Sequence, residues 1–450
     1  MNADALRQIS WQDWRPFRLP LADGELDVRD CLRLLPGKRM ACRAIHDGEE
    51  VFAKLCFAPD HRRAIAGEAS NLGRLADAGV RVPSVRGVVE QPGISVLLLE
   101  WLPDARPLAD IAVDDWPGAL AADFCRQLDS MLAANLIQDD LHLGNFLIAG
   151  DGLYVVDAGD IAALEKVSVG RRRDNLALLC AQAPLPDQAR LTALVLAHLG
   201  GHIDSESRLR DAIQKKLLQR IRHANGKWLR DCSAVALVAQ AQATIHLDRT
   251  LDPAARETVM SLLDHPEQAD TLKQGSRITV YRQANWIIKH YRQASLKMQV
   301  KQALGIHPAQ RSWRFGWTWH LLGLPTPRPV GLKRCRDGSA VIVFPFQPGE
   351  RYSEVLEYHR QEGNRIRPAL EQDLARMGQA QLWHGDVKAQ NILVAGEHTV
   401  WIDLDAAGWS RWPARARRHH RKDVLRFAHN WTQFVDRSGE VDTRARTGEE

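Results

Sequence analysis

Two polar constellations in this chain have residue types and spacings that could do chemistry. Asp140 is followed five residues later by Asn145, and Asp157 comes twelve beyond that; Asp386, Asn391 and Asp403 repeat both intervals. Each closing Asp ends a short apolar run, Leu153-Tyr-Val-Val and Val400-Trp-Ile, that reads as a strand. Upstream, Lys54 and Lys289 each lie inside a β-prone stretch, Glu50 to Phe57 and Asn285 to Tyr291. An Asp with an Asn five residues on, in one loop, can present a base to a hydroxyl and an amide oxygen to Mg²⁺. A second Asp after the next strand adds an anionic metal ligand, and a strand Lys reaches nucleotide phosphates as a point charge. Hard oxygen donors of this kind suit Mg²⁺ rather than zinc. Taken singly the pieces are weak, since a strand Lys is ordinarily a surface residue and the Asp-to-Asn interval is common. The ordered conjunction, written twice, points to phosphoryl transfer.

The elements that must position these residues also occur twice. A turn with a single Gly precedes each Lys strand, Leu35-Pro-Gly-Lys-Arg39 and Leu272-Lys-Gln-Gly-Ser276. After it come Ala78-Gly-Val-Arg-Val-Pro83 and Leu322-Gly-Leu-Pro-Thr-Pro327, then the strand-like Ile94 to Pro103 and Ala340 to Gly349. Downstream, Arg171 to Ala177 parallels Arg421 to Arg426. The order is collinear, with offsets of 235 between the two Lys and 246 between the two loop Asp. Two diverged copies of one domain, 1–222 and 223–450, account for it. The second copy opens near Lys227-Trp-Leu-Arg-Asp-Cys232.

At 450 residues, with 45% hydrophobic and 26% charged side chains, the chain is long enough for two or three packed domains, and disorder, collagen and coiled coil are excluded. The best apolar run, Ser233 to Ile245, is short and carries Gln240 and Gln242, so no helix spanning a bilayer is expected. The stretch Met1 to Trp14 has acids and Trp where a secretory signal needs a basic start and an apolar core. Seven scattered cysteines form no CxxC pair, which argues against a zinc site or a disulfide framework and for small core residues in a reducing compartment. The expectation is a soluble cytoplasmic protein.

The loop motifs resemble those of the protein-kinase-like superfamily, and within it the bacterial lipopolysaccharide core kinases. The resemblance rests on HGDxKxxNIL with IDLD in the second copy and DDLHxGNFLI with VDAGD in the first. It also rests on LKQGSRITVYR before WIIKHY, on GLPTP, and on the absence of GxGxxG, and it thins across 186–222 and 233–270. It implies an α+β fold of two tandem bilobal domains, each with a β-rich N-lobe and a helical C-lobe. It further implies an ATP- and Mg²⁺-dependent kinase phosphorylating heptose or Kdo sugars of the lipopolysaccharide inner core on the cytoplasmic face of the inner membrane. Asp140 and Asp386 would then be catalytic bases, Asn145, Asp157, Asn391 and Asp403 would hold Mg²⁺, and Lys54 and Lys289 would contact ATP. Glu68 would pair with Lys54, its alternative being a solvated helical acid; aligning Pro83 with Pro327 puts Ser312 at that place in the second copy. In the first copy Gln138-Asp139 stands where the family has His-Gly, so that loop is either weakened or rewired, and the second loop is the better formed. A small-molecule phosphotransferase of the aminoglycoside or choline type shares the same frame. A scaffold that binds nucleotide or glycolipid without transfer is the reading from another class.

Arg411, Arg415, Arg417, Arg418, Arg421 and Lys422 follow the second metal Asp, with Trp409, Trp412, His419 and His420 interleaved; Arg171, Arg172 and Arg173 stand similarly in the first copy. Such a strip suits an anionic glycolipid or the anionic membrane surface carrying it, against the plainer reading of a solvated helix face. No recognition motif supports nucleic acid as a partner. Trp313, Trp317 and Trp319 read as core, with a membrane-interface face as the alternative.

Overall fold

In the computed structural model, residues 3–9, 14–150, 152–292 and 295–444 are described. Residues 1, 2 and 10–13 of the N-terminal stretch lie outside them. The architecture is α+β, in two compact units: Met1–Ala183 with Asp187–Lys216, and Pro184–Pro186 with Leu217–Glu450.

The first unit carries a six-stranded antiparallel sheet of β1 (Phe17–Leu21), β2 (Gly24–Leu35), β3 (Arg39–His46), β4 (Glu49–Cys56), β5 (Val85–Gln91) and β6 (Ile94–Glu100), ordered β1-β2-β3-β4-β6-β5. Strand alternation decides where Lys54 points. Ala53 and Leu55 are fully buried in a core with Val28, Met40, Ala44, Val96 and Leu98, so Lys54 between them faces the opposite side. Helix α1 (His61–Asp77) buries Ile65, Glu68, Leu72 and Leu75, a spacing that makes one helical face. Helices α2 (Gly118–Ala133) and α3 (Val169–Gln182) flank the functional loops. Those loops lie between two short ladders, the hairpin Phe146–Ala149 with Gly152–Val155 and the pair Leu136–Gln138 with Ile161–Ala163.

The second unit carries seven strands: β7 (Val235–Ala239), β8 (Ala243–Asp248), β9 (Asp270–Gln274), β10 (Ile278–Gln283), β11 (Trp286–Tyr291), β12 (Gly331–Cys335) and β13 (Ala340–Pro345), ordered β7-β8-β12-β13-β11-β10-β9. Read from the other edge, β9-β10-β11-β13-β12 repeats β2-β3-β4-β6-β5. Lys289 sits on β11 opposite Val280 and Ile342, as Lys54 sits opposite Ala41 and Leu97. The hairpin β7–β8 occupies the apolar run that was the best candidate for a span, and no helix among the described residues is long and apolar enough to cross a membrane. Helix α4 (Pro253–Asp264), capped by the Asp252 side chain on Ala255 N–H, packs over β12 and β13.

Helix α5 (Pro308–Leu321) replaces α1 and is buried nearly throughout. Trp313, Trp317 and Trp319 are all buried, with Trp317 stacked on Trp228, so the alternative of a membrane-interface face is wrong: the sheet and Trp228 cover Trp313 and Trp317, and the His384 ring lies against Trp319. Helices α6 (Arg360–Gln379) and α7 (Pro413–Arg444) complete the unit. Its second hairpin pairs Ile392 with Trp401 as the first pairs Phe146 with Val155, at a constant offset of 246. No disulfide joins the seven cysteines; burial raises the Cys31 and Cys125 thiols to about 11 and Cys180 to about 12.

Candidate active site

In the first unit, Lys54, Glu68 and Asp157 meet although they come from a strand, a helix and a loop. The Lys54 ammonium is ion-paired to Glu68 Oε1 and lies 2.9 Å from Asp157 Oδ1. Burial alone would depress that ammonium, but the two carboxylates outweigh it and hold its pKa above the ordinary value. Burial likewise pushes the Asp157 carboxyl up, and Lys54, with Arg39 and Arg33 behind it, brings it below the usual range. Glu68 is 6% exposed, which disposes of the solvated alternative.

The loop aspartates are held by backbone geometry. Asp157 has φ of 60° and Asp403 of 67°, left-handed conformations that are uncommon for residues other than glycine, although Asp adopts them more readily than most. In the first unit the contacts that hold it are visible. Gln138 Nε2 donates to the Asp157 carbonyl at 3.0 Å, and Asn71 Nδ2 on α1 donates to the Ala158 and Ile161 carbonyls at 2.9 and 3.0 Å. Asn175 Nδ2 on α3 fixes the Gln138 carbonyl at 2.7 Å. In the second unit His384 Nε2 meets the Ile402 carbonyl at 3.0 Å, and Arg311 Nε and Nη2 on α5 donate to Ala407 and Ala406 carbonyls at 2.9 and 3.1 Å. There the buried Asp423 on α7 accepts from the His384 and Gly385 N–H groups at 2.6 and 3.1 Å. Gly385 is obligatory at its position: its φ is +83° and a Cβ would sit 2.4 Å from the Ala406 carbonyl oxygen. The first loop is therefore rewired around Gln138 and Asn175.

The base candidates differ in their surroundings. In both loops the Asn donates its amide N–H to the carbonyl of the Asp, Asn145 to Asp140 and Asn391 to Asp386, each at 2.9 Å. Only the amide oxygen of each Asn is then left to ligate, so with Asp157 or Asp403 the donor set is hard oxygen and fits Mg²⁺. No cluster of three or more His, Cys, Asp or Glu with metal-holding geometry occurs among the described residues. The Asp140 side chain is 62% exposed, 3.9 Å from His142. Asp386 is instead ion-paired to Arg426 at 2.8 Å and to Lys388 at 3.1 Å.

A cavity of about 780 Å³ opens in the first unit, lined by Lys54, Glu68, Asp140, Asn145 and Asp157 among others. Its apolar walls come from Met40, Ala41, Leu72, Leu99, Leu102 and Leu147, and Arg33 and Arg39, on either side of the Gly37 turn, border it as well.

In the second unit Lys289 lies 2.7 Å from Asp403, and Ser312 does stand where α1 has Glu68. Sequence reasoning missed three residues there: Asp405, 3.5 Å from Lys289, and Asp423 and Arg426 on α7. The IDLD motif contained the signal for Asp405, whereas nothing local marked the other two.

Of the basic residues, Arg173 is taken up by Asp174 and Asp204, Arg172 by Asn135 and Arg171 by Asp139, which leaves that trio a paired surface. Arg415, Arg417, Arg418, Arg421 and Lys422 are exposed on α7 and form no ion pair among the described residues, while Arg411 lies over the Trp412 ring at 4.7 Å. Burial first, then Arg415, Lys422 and Arg418, lowers the pKa of His419.

No family model and no curated protein matches the chain. Among solved structures it is similar to WaaP in complex with acyl carrier protein, at 21% identity and a TM-score of 0.34, covering 42% of this chain and 88% of that one. A likeness of that size does not fix family or activity.

Proposed function

We propose that this chain is an ATP- and Mg²⁺-dependent phosphotransferase whose acceptor is a heptose or Kdo hydroxyl of the lipopolysaccharide inner core, with the first unit as the transferring one. The observation that carries the reading is the 780 Å³ cavity, into which the ammonium, the exposed carboxylate and both metal-ligand candidates open together. The apolar walls suit a nucleobase, and Lys54, held in place by Glu68, neutralises phosphate oxygens. Asp140 accepts the proton of the attacking hydroxyl. Asn145 and Asp157 hold Mg²⁺, which when bound offsets the charge on the transferring phosphoryl group. The sugar acceptor rests on the loop motifs, and the exposed cations at the start of α7 suit its phosphorylated glycolipid or the anionic inner-membrane surface.

A non-transferring role, binding nucleotide or glycolipid, fits the second unit, because Arg426 and Lys388 occupy the carboxylate that would accept the proton. The test is turnover of Mg·ATP with purified core oligosaccharide, set against choline and an aminoglycoside as small acceptors. Asp140→Ala is expected to lower kcat by about 10²–10⁴-fold, the range for a lost general base, with Asp386→Ala close to wild type. Retained turnover in Asp140→Ala with loss in Asp386→Ala would reverse the assignment of the units. Absence of Mg·ATP binding would end the enzyme reading.

A further inference from the structure

The carboxylates that steady the two lysines come from different places. In the first unit Glu68 reaches Lys54 from α1, and its Oε2 lies 3.6 Å from where a Cβ on Gly159 would stand. Gly159 is two residues after Asp157; two residues after Asp403 the second unit has Asp405. At the helix position the second unit has Ser312, and two residues after its Lys it has Tyr291 where the first has Cys56. These residues close on one another. Asp405 Oδ1 lies 3.5 Å from Lys289 Nζ and accepts from Ser312 Oγ at 2.5 Å and from the Tyr291 hydroxyl at 2.7 Å.

The exchange has a physical logic. A carboxylate at both positions would place two anions side by side, and one at neither would leave a buried ammonium with a single partner. Each unit has one. Where it comes from the helix, the loop position has no side chain to collide with it. Where the shorter acid comes from the loop, two hydroxyls turn toward it and complete its hydrogen bonds.

We infer that Asp405 is the positioning residue for Lys289, taking the role that Glu68 has for Lys54, and that the helix and loop positions are alternative sources of one carboxylate. The inference rests on the proposed role of Lys289 toward nucleotide phosphates, although the exchange itself can be tested without nucleotide.

The experiment uses the full chain. In the first arm, thermal unfolding without ligand compares Asp405→Gly, Ser312→Glu and the pair combined. Each single change is expected to lower the second unit's transition, the first by removing a partner of Lys289 and the second by crowding two carboxylates. The combination is expected to restore it; a combined loss equal to the sum of the singles overturns the exchange. Adding Tyr291→Cys to the combination covers a clash with that ring, and the reciprocal set Cys56→Tyr, Glu68→Ser and Gly159→Asp runs the same test in the first unit.

The second arm reads the Mg·ATP dissociation constant in a Lys54→Met background, where the remaining binding reports the second unit. Asp405→Gly is expected to weaken it about tenfold or more, the size of a lost charged hydrogen bond, and the exchanged carboxylate to restore it. An unchanged constant beside a lowered transition would make Asp405 merely structural and overturn the positioning role. If the wild type binds no Mg·ATP, the proposed function fails while the first arm still decides the exchange.

Discussion

Gln138 and His384 stand at the same point of their loops and do the same work with different chemistry. The Gln138 amide donates to the carbonyl of Asp157 itself and the His384 imidazole to that of Ile402, the residue before Asp403, and both aspartates have left-handed backbone. Because that backbone is intrinsically unfavourable, the donor's removal is felt at the metal-ligand candidate rather than at the surface. Gln138→Ala is therefore expected to cost about 1–3 kcal/mol, the penalty of a buried carbonyl left unmet, in denaturant unfolding. Gln138→His is expected to retain most of that stability, because a ring nitrogen can replace the amide. The candidate residues were legible as types and intervals, and Lys54, Asp140, Asn145 and Asp157 line one cavity. Their partners were less legible. Asn175 and Asp423 act on loops 37 to 39 residues away, and no local pattern encodes which side chain a later helix will turn inward.

Among the elements, α1 announces itself. An amphipathic stripe of Ile65, Leu72 and Leu75 that includes Glu68 and Asn71 on its buried side is a helix with a second task, and both polar side chains have one. Helix α5 gave a less complete signal, since three Trp in seven residues read as core with an interface as the alternative, and their burial decides for the core. The start of α7 is the element whose cations lack internal partners among the described residues. The protein is expected to co-sediment with vesicles containing anionic lipid. Replacing Arg417, Arg418, Arg421 and Lys422 by Ser is expected to weaken this by about 1 kcal/mol per charge, with the remaining binding falling as salt rises. Binding that is insensitive to all four changes would return that strip to an ordinary solvated face.

At the scale of the molecule, the second unit carries buried neutral histidines. Burial lowers His246 and His307 to about 4, and lowers His384 as well. For a base the consequence has a definite sign. Above about 6.5 both folded and unfolded rings are neutral and nothing is lost. As pH falls from there toward 4, only the unfolded chain takes up protons, so stability declines through that window. The loss is on the order of 2 kcal/mol for each of His246 and His307 by pH 5. Scanning calorimetry at pH 7.5 and pH 5 is expected to show the second unit's transition moving down, and His246→Gln is expected to flatten that slope.

The constant register of the two hairpins has one more consequence. From Glu68 to Ser312 the offset is already 244, and from Asp140 through Asp157 it stays at 246, so between the lysines and the closing aspartates the copies differ in length only upstream of the loop. Nine of the eleven added residues lie between Lys289 and Ser312, the stretch that includes the short helix Leu296–Ala303. The chain thus records its own tolerance map. Length has been free to change between the lysine strand and the helix that follows it. From the loop aspartate to the end of the second hairpin, a single inserted residue would slide a ligand off its ladder, and in two copies none has survived.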